Sequence, residues 1–114
     1  MAKRQSPRMT LPTQLVLRAL VADPGGEMYG LQICMEAGLP SGTIHPILAR
    51  LEGLGWLESR WEDEASARQE GRPQRRYYKL TEDGAELATL ALAQATTPVS
   101  AIYRLRARPA GELP

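Results

Sequence analysis

Covalent or metal-assisted chemistry needs a nucleophile, a base or a set of ligands that can converge, and this chain is poor in all three. Its 114 residues contain one cysteine, Cys34, and one histidine, His45. The two could be drawn as a nucleophile and its base. Nothing around Cys34 would stabilise a thiolate, however, and a buried structural cysteine is the reading adopted. No spacing of Cys, His, Asp and Glu matches a metal site, and no glycine loop has the pattern that cradles phosphate. Neither catalysis nor a bound cofactor is expected. What remains is hydrogen bonding and charge. Ser41, Thr43, His45 and Arg50 fall within one short segment, and Arg68, Arg72, Arg75 and Arg76 follow it closely. Hydroxyl, imidazole and guanidinium groups can read base edges in a DNA major groove, and clustered arginines can neutralise phosphates.

The elements that must position these groups are legible from the periods. Over residues 41–55, Ile44, Ile47, Leu48, Leu51 and Leu54 recur at steps of three and four, the repeat of a helix with one buried stripe. Ser41 suits the N-cap and Gly55 the left-handed residue after the last turn. Off the stripe stand Thr43, His45, Ala49, Arg50 and Glu52. That small, hydrogen-bonding face suits a helix approaching a groove floor, or an ordinary amphipathic helix with a bland surface. Pro46 is read as shaping the start of the helix rather than touching bases. After Gly55 the period becomes two: Leu57, Ser59 and Trp61 share one face, Glu58, Arg60 and Glu62 the other. A second strand at residues 76–80 places Tyr78 and Leu80 on one side. Between them, residues 63–75 form a polar connection containing Gly71, Pro73, Arg68, Arg72 and Arg75. A helix followed by a hairpin with a long basic tip suggests a recognition helix and its wing.

Upstream, residues 1–9 read as a mobile basic arm. Thr10 can cap a helix running to about residue 22, with Pro12 tolerated in its first turn. Leu15, Val16, Ala19 and Leu20 form its stripe, but Leu17 and Val21 lie off it, so the helix needs burial on two sides. In so small a chain the second side suggests a partner subunit. A helix over residues 29–37 turns Leu31, Met35 and Cys34 toward the core, and Gly38-Leu39-Pro40 leads into the next, a helix-turn-helix arrangement. Thr81 caps a later helix with Glu82, Asp83 and Glu86 at its favourable end. Leu87, Leu90 and Ala91 lie on that helix's apolar side. Thr97-Pro98 either kinks this helix or, the preferred reading, caps a new one carrying Ile102 and Tyr103, and order ends by residues 109–114. Leu17, Val21, Leu87, Leu90, Ala91, Ile102 and Tyr103 are the expected dimer surface.

Length allows one domain with a small appendage. The net charge of +1 hides local asymmetry: residues 1–22 hold Lys3, Arg4, Arg8 and Arg18 and no acid, and residues 101–108 hold Arg104, Arg106 and Arg108. Such basic patches fit nucleic-acid contact or simply solvated charge. A lone cysteine, with neither a membrane span nor a signal peptide, points to the cytoplasm.

Three stretches carry a resemblance: Tyr29-Gly30-Leu31-Gln32-Ile33, then Ser41-Gly42-Thr43-Ile44-His45-Pro46-Ile47-Leu48, then Gly71-Arg72-Pro73-Gln74-Arg75-Arg76-Tyr77-Tyr78-Lys79-Leu80-Thr81-Glu82-Asp83-Gly84. Together with Leu51-Glu52-Gly53-Leu54-Gly55-Trp56-Leu57-Glu58-Ser59, they resemble the PadR family of bacterial transcriptional regulators over roughly residues 10–90. The resemblance implies a mainly α fold with a small β-hairpin wing: a winged helix-turn-helix domain over residues 10–80, then a C-terminal dimerisation helix within 81–108. It also implies operator binding as a homodimer, usually with repression. At the recognition helix the family usually has tyrosine before the proline, where this chain has His45. Small apolar or phenolic effectors of some relatives suggest that Trp56 and Trp61 line a ligand site, although core and wing-base packing also accounts for them. The expected partners are therefore double-stranded DNA, a second copy of the chain and such an effector. The alternative is a winged helix used as a protein-interaction module, docking through its wing and acidic root, with only nonspecific affinity for DNA.

Overall fold

The computed structural model describes residues 6–95. Helix α1 (Leu11–Val21) begins as its sequence requires: the extended Thr10 accepts the Thr13 amide on its hydroxyl, and Pro12 sits in the first turn. Val16, Leu17 and Leu20 are buried with Thr13 and Gln14, and the Gln14 Nε2 donates to the Met9 carbonyl at 2.9 Å. Leu17 is 0% exposed, so its place in a dimer surface is overturned. Helices α2 (Gly30–Ala37), α3 (Ser41–Gly53) and α5 (Glu82–Gln94) all pack on α1, so its second apolar side is met within the chain. Val21 is half-buried against the same core.

A two-residue strand, β1 (Met28–Tyr29), precedes α2. Two residues carry no periodicity, so the sequence pattern gives no sign of it. In α2 the expected core face holds at Cys34 and is wrong at the other two positions. Leu31 and Met35 are 63% and 73% exposed, whereas Ile33, Cys34 and Ala37 are buried. Five apolar residues in an eight-residue helix leave its orientation open. The small side chains of Cys34 and Ala37 allow closer approach to α1 and α3 than Leu31 and Met35 would. Gly38, left-handed at φ 72°, ends the helix.

Helix α3 buries Ile44, Leu48 and Leu51. Its N-cap is Pro40, not Ser41: the Pro40 carbonyl accepts the amides of Thr43 and Ile44, and no side chain caps the end. Proline's fixed φ already suits the extended cap position, so Ser41 becomes the first helical residue and is exposed. Gly55 does take the left-handed conformation, at φ 83°. Strands β2 (Leu57–Trp61) and β3 (Arg76–Leu80) pair antiparallel, with β3 central in the order β1-β3-β2. Tyr77 therefore lies between Tyr29 and Arg60. The polar connection between β2 and β3 contains a short helix, α4 (Glu64–Gln69), capped by the Asp63 carboxylate at the Ser66 amide.

Thr81 joins wing to α5. Its hydroxyl caps the Gly84 amide at 2.8 Å and donates to the Gly55 carbonyl, while its own amide donates to the Trp56 carbonyl. Trp56, 2% exposed, is the largest side chain of the core. Gly84 lies flat against its backbone: a Cβ there would overlap the Trp56 carbonyl oxygen and sit 2.7 and 2.8 Å from its C and Cα.

Candidate nucleic-acid interface

The outer face of α3 is open. Ser41, Gly42, His45, Pro46, Ala49 and Arg50 are exposed and Thr43 is half-exposed, so the helix presents its hydrogen-bonding residues beyond a low, small-residue surface. His45 reaches across to the first residue of α2. A Cβ at Gly30 would lie 3.3 Å from the imidazole Cε1, so glycine there leaves room for the ring. Glu52, in the last turns, turns toward the wing: Ser59 Oγ donates to Glu52 Oε2 at 2.6 Å, and the Arg76 guanidinium lies 3.7 Å from the same oxygen.

Of the wing's acidic root, Glu62-Asp63-Glu64, the first residue folds inward and the other two stay exposed. Glu62 is buried and receives Arg72 through two hydrogen bonds, at 2.6 and 2.8 Å. The Arg75 amide adds a third at 3.1 Å, and Gln74 donates to the Glu62 carbonyl. The Arg72 hydrogen bond, aided by the Arg75 amide and opposed by burial, holds the Glu62 carboxyl down to about 2 from an ordinary 4.5. The same pair pushes the Arg72 pKa up. Asp63 is spent on capping α4, and Glu64 lies 3.6 Å from Arg68 with both side chains in solvent. Two carboxylates that would have opposed phosphates, those of Glu62 and Asp63, are therefore engaged within the wing.

The expected phosphate contacts divide accordingly. Arg72 is committed to Glu62. Arg76 is shared between Glu52 and the Trp61 ring, whose centroid is 5.1 Å from its guanidinium carbon. Arg75 stacks on Tyr29 at 3.9 Å, and Tyr29 meets Tyr77 edge-on at 5.9 Å. On the other flank Arg60 lies over Tyr77 and binds Glu27 through two 2.7 Å bonds, which lower the Glu27 pKa. Among the described residues, Arg50 and Arg75 form no ion pair. The arm residues before 6 lie outside the described residues. Sequence reasoning missed Glu27, Tyr29, Glu52 and Arg60. Glu52 had a signal, being three residues short of the turn into the wing. Glu27 and Arg60 are 33 positions apart and had none.

Trp56 is closed into the core while Trp61 is 57% exposed on the wing, so the two rings do not frame one open pocket. Among the described residues no group of His, Cys, Asp and Glu is placed to hold a metal ion, and no helix is long and apolar enough to cross a membrane.

The PadR-like transcriptional regulator family model matches residues 17–89, more than half of the chain. The chain belongs to the PadR-like family of transcriptional regulators. Solved structures share the winged-helix fold. A PadR family regulator from Eggerthella lenta is 24% identical, with 87% of each chain covered and a TM-score of 0.57. One from Clostridium difficile is 20% identical over 85% of this chain and 99% of its own, with a TM-score of 0.61. BpsR of Bordetella bronchiseptica, whose DNA binding is regulated by 6-hydroxynicotinic acid, is 20% identical over 87% of this chain and 74% of its own, with a TM-score of 0.61. No curated protein matches the chain.

As a PadR-family DNA-binding regulator, the chain keeps helix α5 as the element after the wing. Leu87 and Ala91 are half-buried, Leu90 is 56% exposed, and Ala88 faces inward and is fully buried. Ile102, Tyr103 and the helix expected to begin at Thr97-Pro98 lie outside the described residues.

Proposed function

We propose that this PadR-family regulator is a repressor that binds a palindromic operator as a homodimer. The observation that carries the reading is the open face of α3, where Ser41, Thr43, His45 and Arg50 stand accessible beside a wing in which Glu62 is bound to Arg72 and Asp63 caps α4. The first three, with Arg50, read base edges in the major groove. Arg75 and Arg68 reach phosphates, Arg76 when it leaves Glu52, and Arg72 braces the loop that carries them. One helix-turn-helix makes few base contacts, so two copies set their recognition helices about 34 Å apart, one turn of DNA. The exposed Leu90 of α5, with the half-buried Leu87 and Ala91 on the same helix, supports a partner surface there. Repression follows from occlusion of a promoter. A small apolar or phenolic effector is carried over to this chain by analogy with BpsR, whose DNA binding 6-hydroxynicotinic acid regulates.

The protein-interaction alternative relied on the acidic root as a docking surface, and Glu62 is instead buried against Arg72. Enrichment of bound fragments from random DNA tests the proposal. A repeated, two-fold symmetric sequence is expected, bound with a log–log salt slope set by the phosphates neutralised. Leu87→Glu with Leu90→Glu should give a folded monomer that keeps only weak nonspecific binding. A wild-type monomer at micromolar concentration that binds one half-site tightly would remove the dimer from the mechanism.

A further inference from the structure

The angle between a recognition helix and its wing decides whether major-groove and phosphate contacts form together, so a bond between the two elements matters more than its surface position suggests. Glu52 makes that bond here. From the last turns of α3 its carboxylate accepts from Ser59 on β2 at 2.6 Å and faces Arg76 on β3 at 3.7 Å. Arg76 is fixed on its other side by the ring of Trp61, its neighbour across the ladder, at 5.1 Å. One side chain of the DNA-facing helix thus holds both strands of the hairpin. Hydrophobic contact does not duplicate this: beyond Leu57 and Tyr78 the hairpin leaves the core, with Ser59 half-buried and Trp61 exposed. The remaining carboxylate contacts bind the wing to itself, Glu62 to Arg72, or to the turn before β1, Glu27 to Arg60. Among the described residues Glu52 is the one acid on α3 that reaches the hairpin.

We propose that Glu52 is a positioning residue that sets the wing against the recognition helix, so that Arg75 and Arg68 meet phosphate while α3 lies in the major groove. The inference rests on the DNA-binding reading above. It does not require Glu52 to touch DNA, whose phosphates would repel it.

The test uses the full chain, as wild type, Glu52→Gln and Glu52→Ala, with a DNA fragment enriched by the wild type from random sequence. Affinity is measured across salt concentrations, and amide hydrogen exchange is followed by mass spectrometry. Glu52→Ala should raise exchange across residues 57–80 while α1 and α2 keep wild-type protection. Its affinity should fall about tenfold, and its log–log salt slope should drop by about one for each phosphate that the wing ceases to neutralise. Glu52→Gln, which preserves the side chain's volume and an oxygen for Ser59 but no charge for Arg76, should fall between. Wild-type affinity and slope in both variants would overturn the proposal. So would weaker binding with an unchanged slope and exchange raised throughout, the mark of general destabilisation. Tighter binding with a steeper slope would show instead that Glu52 withholds Arg76 from phosphate, and would overturn it as well. If the wild type enriches no sequence, the DNA-binding reading fails first and this inference with it, a result visible before any variant is made.

Discussion

Replacing Gly84 with alanine puts a methyl group where α5 touches the Trp56 backbone. The new Cβ would overlap the Trp56 carbonyl oxygen and approach its C and Cα to 2.7 and 2.8 Å, so α5 must retreat by roughly an ångström to restore ordinary contact. The obstacle is backbone held at the junction of α3 and β2, which cannot rotate aside as a side chain would. Forcing a methyl into a filled contact costs about 1–3 kcal/mol, and the upper end applies here. Retreat also stretches the Thr81 bonds to the Gly55 and Trp56 carbonyls, at 2.9 and 3.0 Å, each contributing about 1 kcal/mol net. Against this, alanine gains at most about 1 kcal/mol over glycine within a helix. The balance is a loss of about 2–4 kcal/mol, or roughly 10–20 °C in Tm. Urea unfolding followed by Trp56 fluorescence should show the midpoint falling by about 2 M with little change in slope. A Gly84→Ala protein within about 0.5 kcal/mol of wild type would refute the close packing of α5 on Trp56, since propensity alone predicts stabilisation.

Other positions separate folding from binding. At Gly42 nothing lies within 4 Å of an added Cβ, so Gly42→Ala should leave stability equal or up to about 1 kcal/mol higher. On the proposed docking of α3 in the major groove it should nevertheless weaken operator binding, because the methyl would enter the space between helix and groove floor; unchanged affinity would move that face away from DNA. Thr43→Ala or His45→Ala should each cost on the order of 1–3 kcal/mol on the operator and little on random DNA, as competition binding would show. For the Glu62–Arg72 pair, the folded carboxyl titrates at about 2 against an ordinary 4.5, so the native state favours the deprotonated form. Its stabilisation is complete above pH 4.5 and is lost as pH falls toward 2. The stability gap between wild type and Glu62→Gln should close over that interval, and parallel pH curves would refute the pairing.

The sequence by itself determined much of what local steric and hydrogen-bonding rules set, although the cap of α3 fell on Pro40 rather than Ser41 and α4 went unread. The Thr10 and Thr81 caps, the left-handed Gly55, the buried stripe of α3 and the inward Tyr78 and Leu80 each depend on neighbours a few residues away. The motifs between Tyr29 and Gly84 also carried the family, which the match over residues 17–89 shows. Tertiary structure decided matters in which several local answers were equal. Apolar residues all around α1 and α2 left their orientation open. Packing among α1, α2, α3 and α5 then buried Leu17 and turned Leu31 and Met35 outward. The fate of the charges was also decided there. Glu62 and Arg72, ten residues apart, and Glu27 and Arg60, 33 apart, meet only because the hairpin and the β1–β3 pairing bring them together. A charge pattern along a chain shows which groups are available. Folding chooses their partners, because an ion pair acts over a few ångströms and that proximity comes from the backbone path.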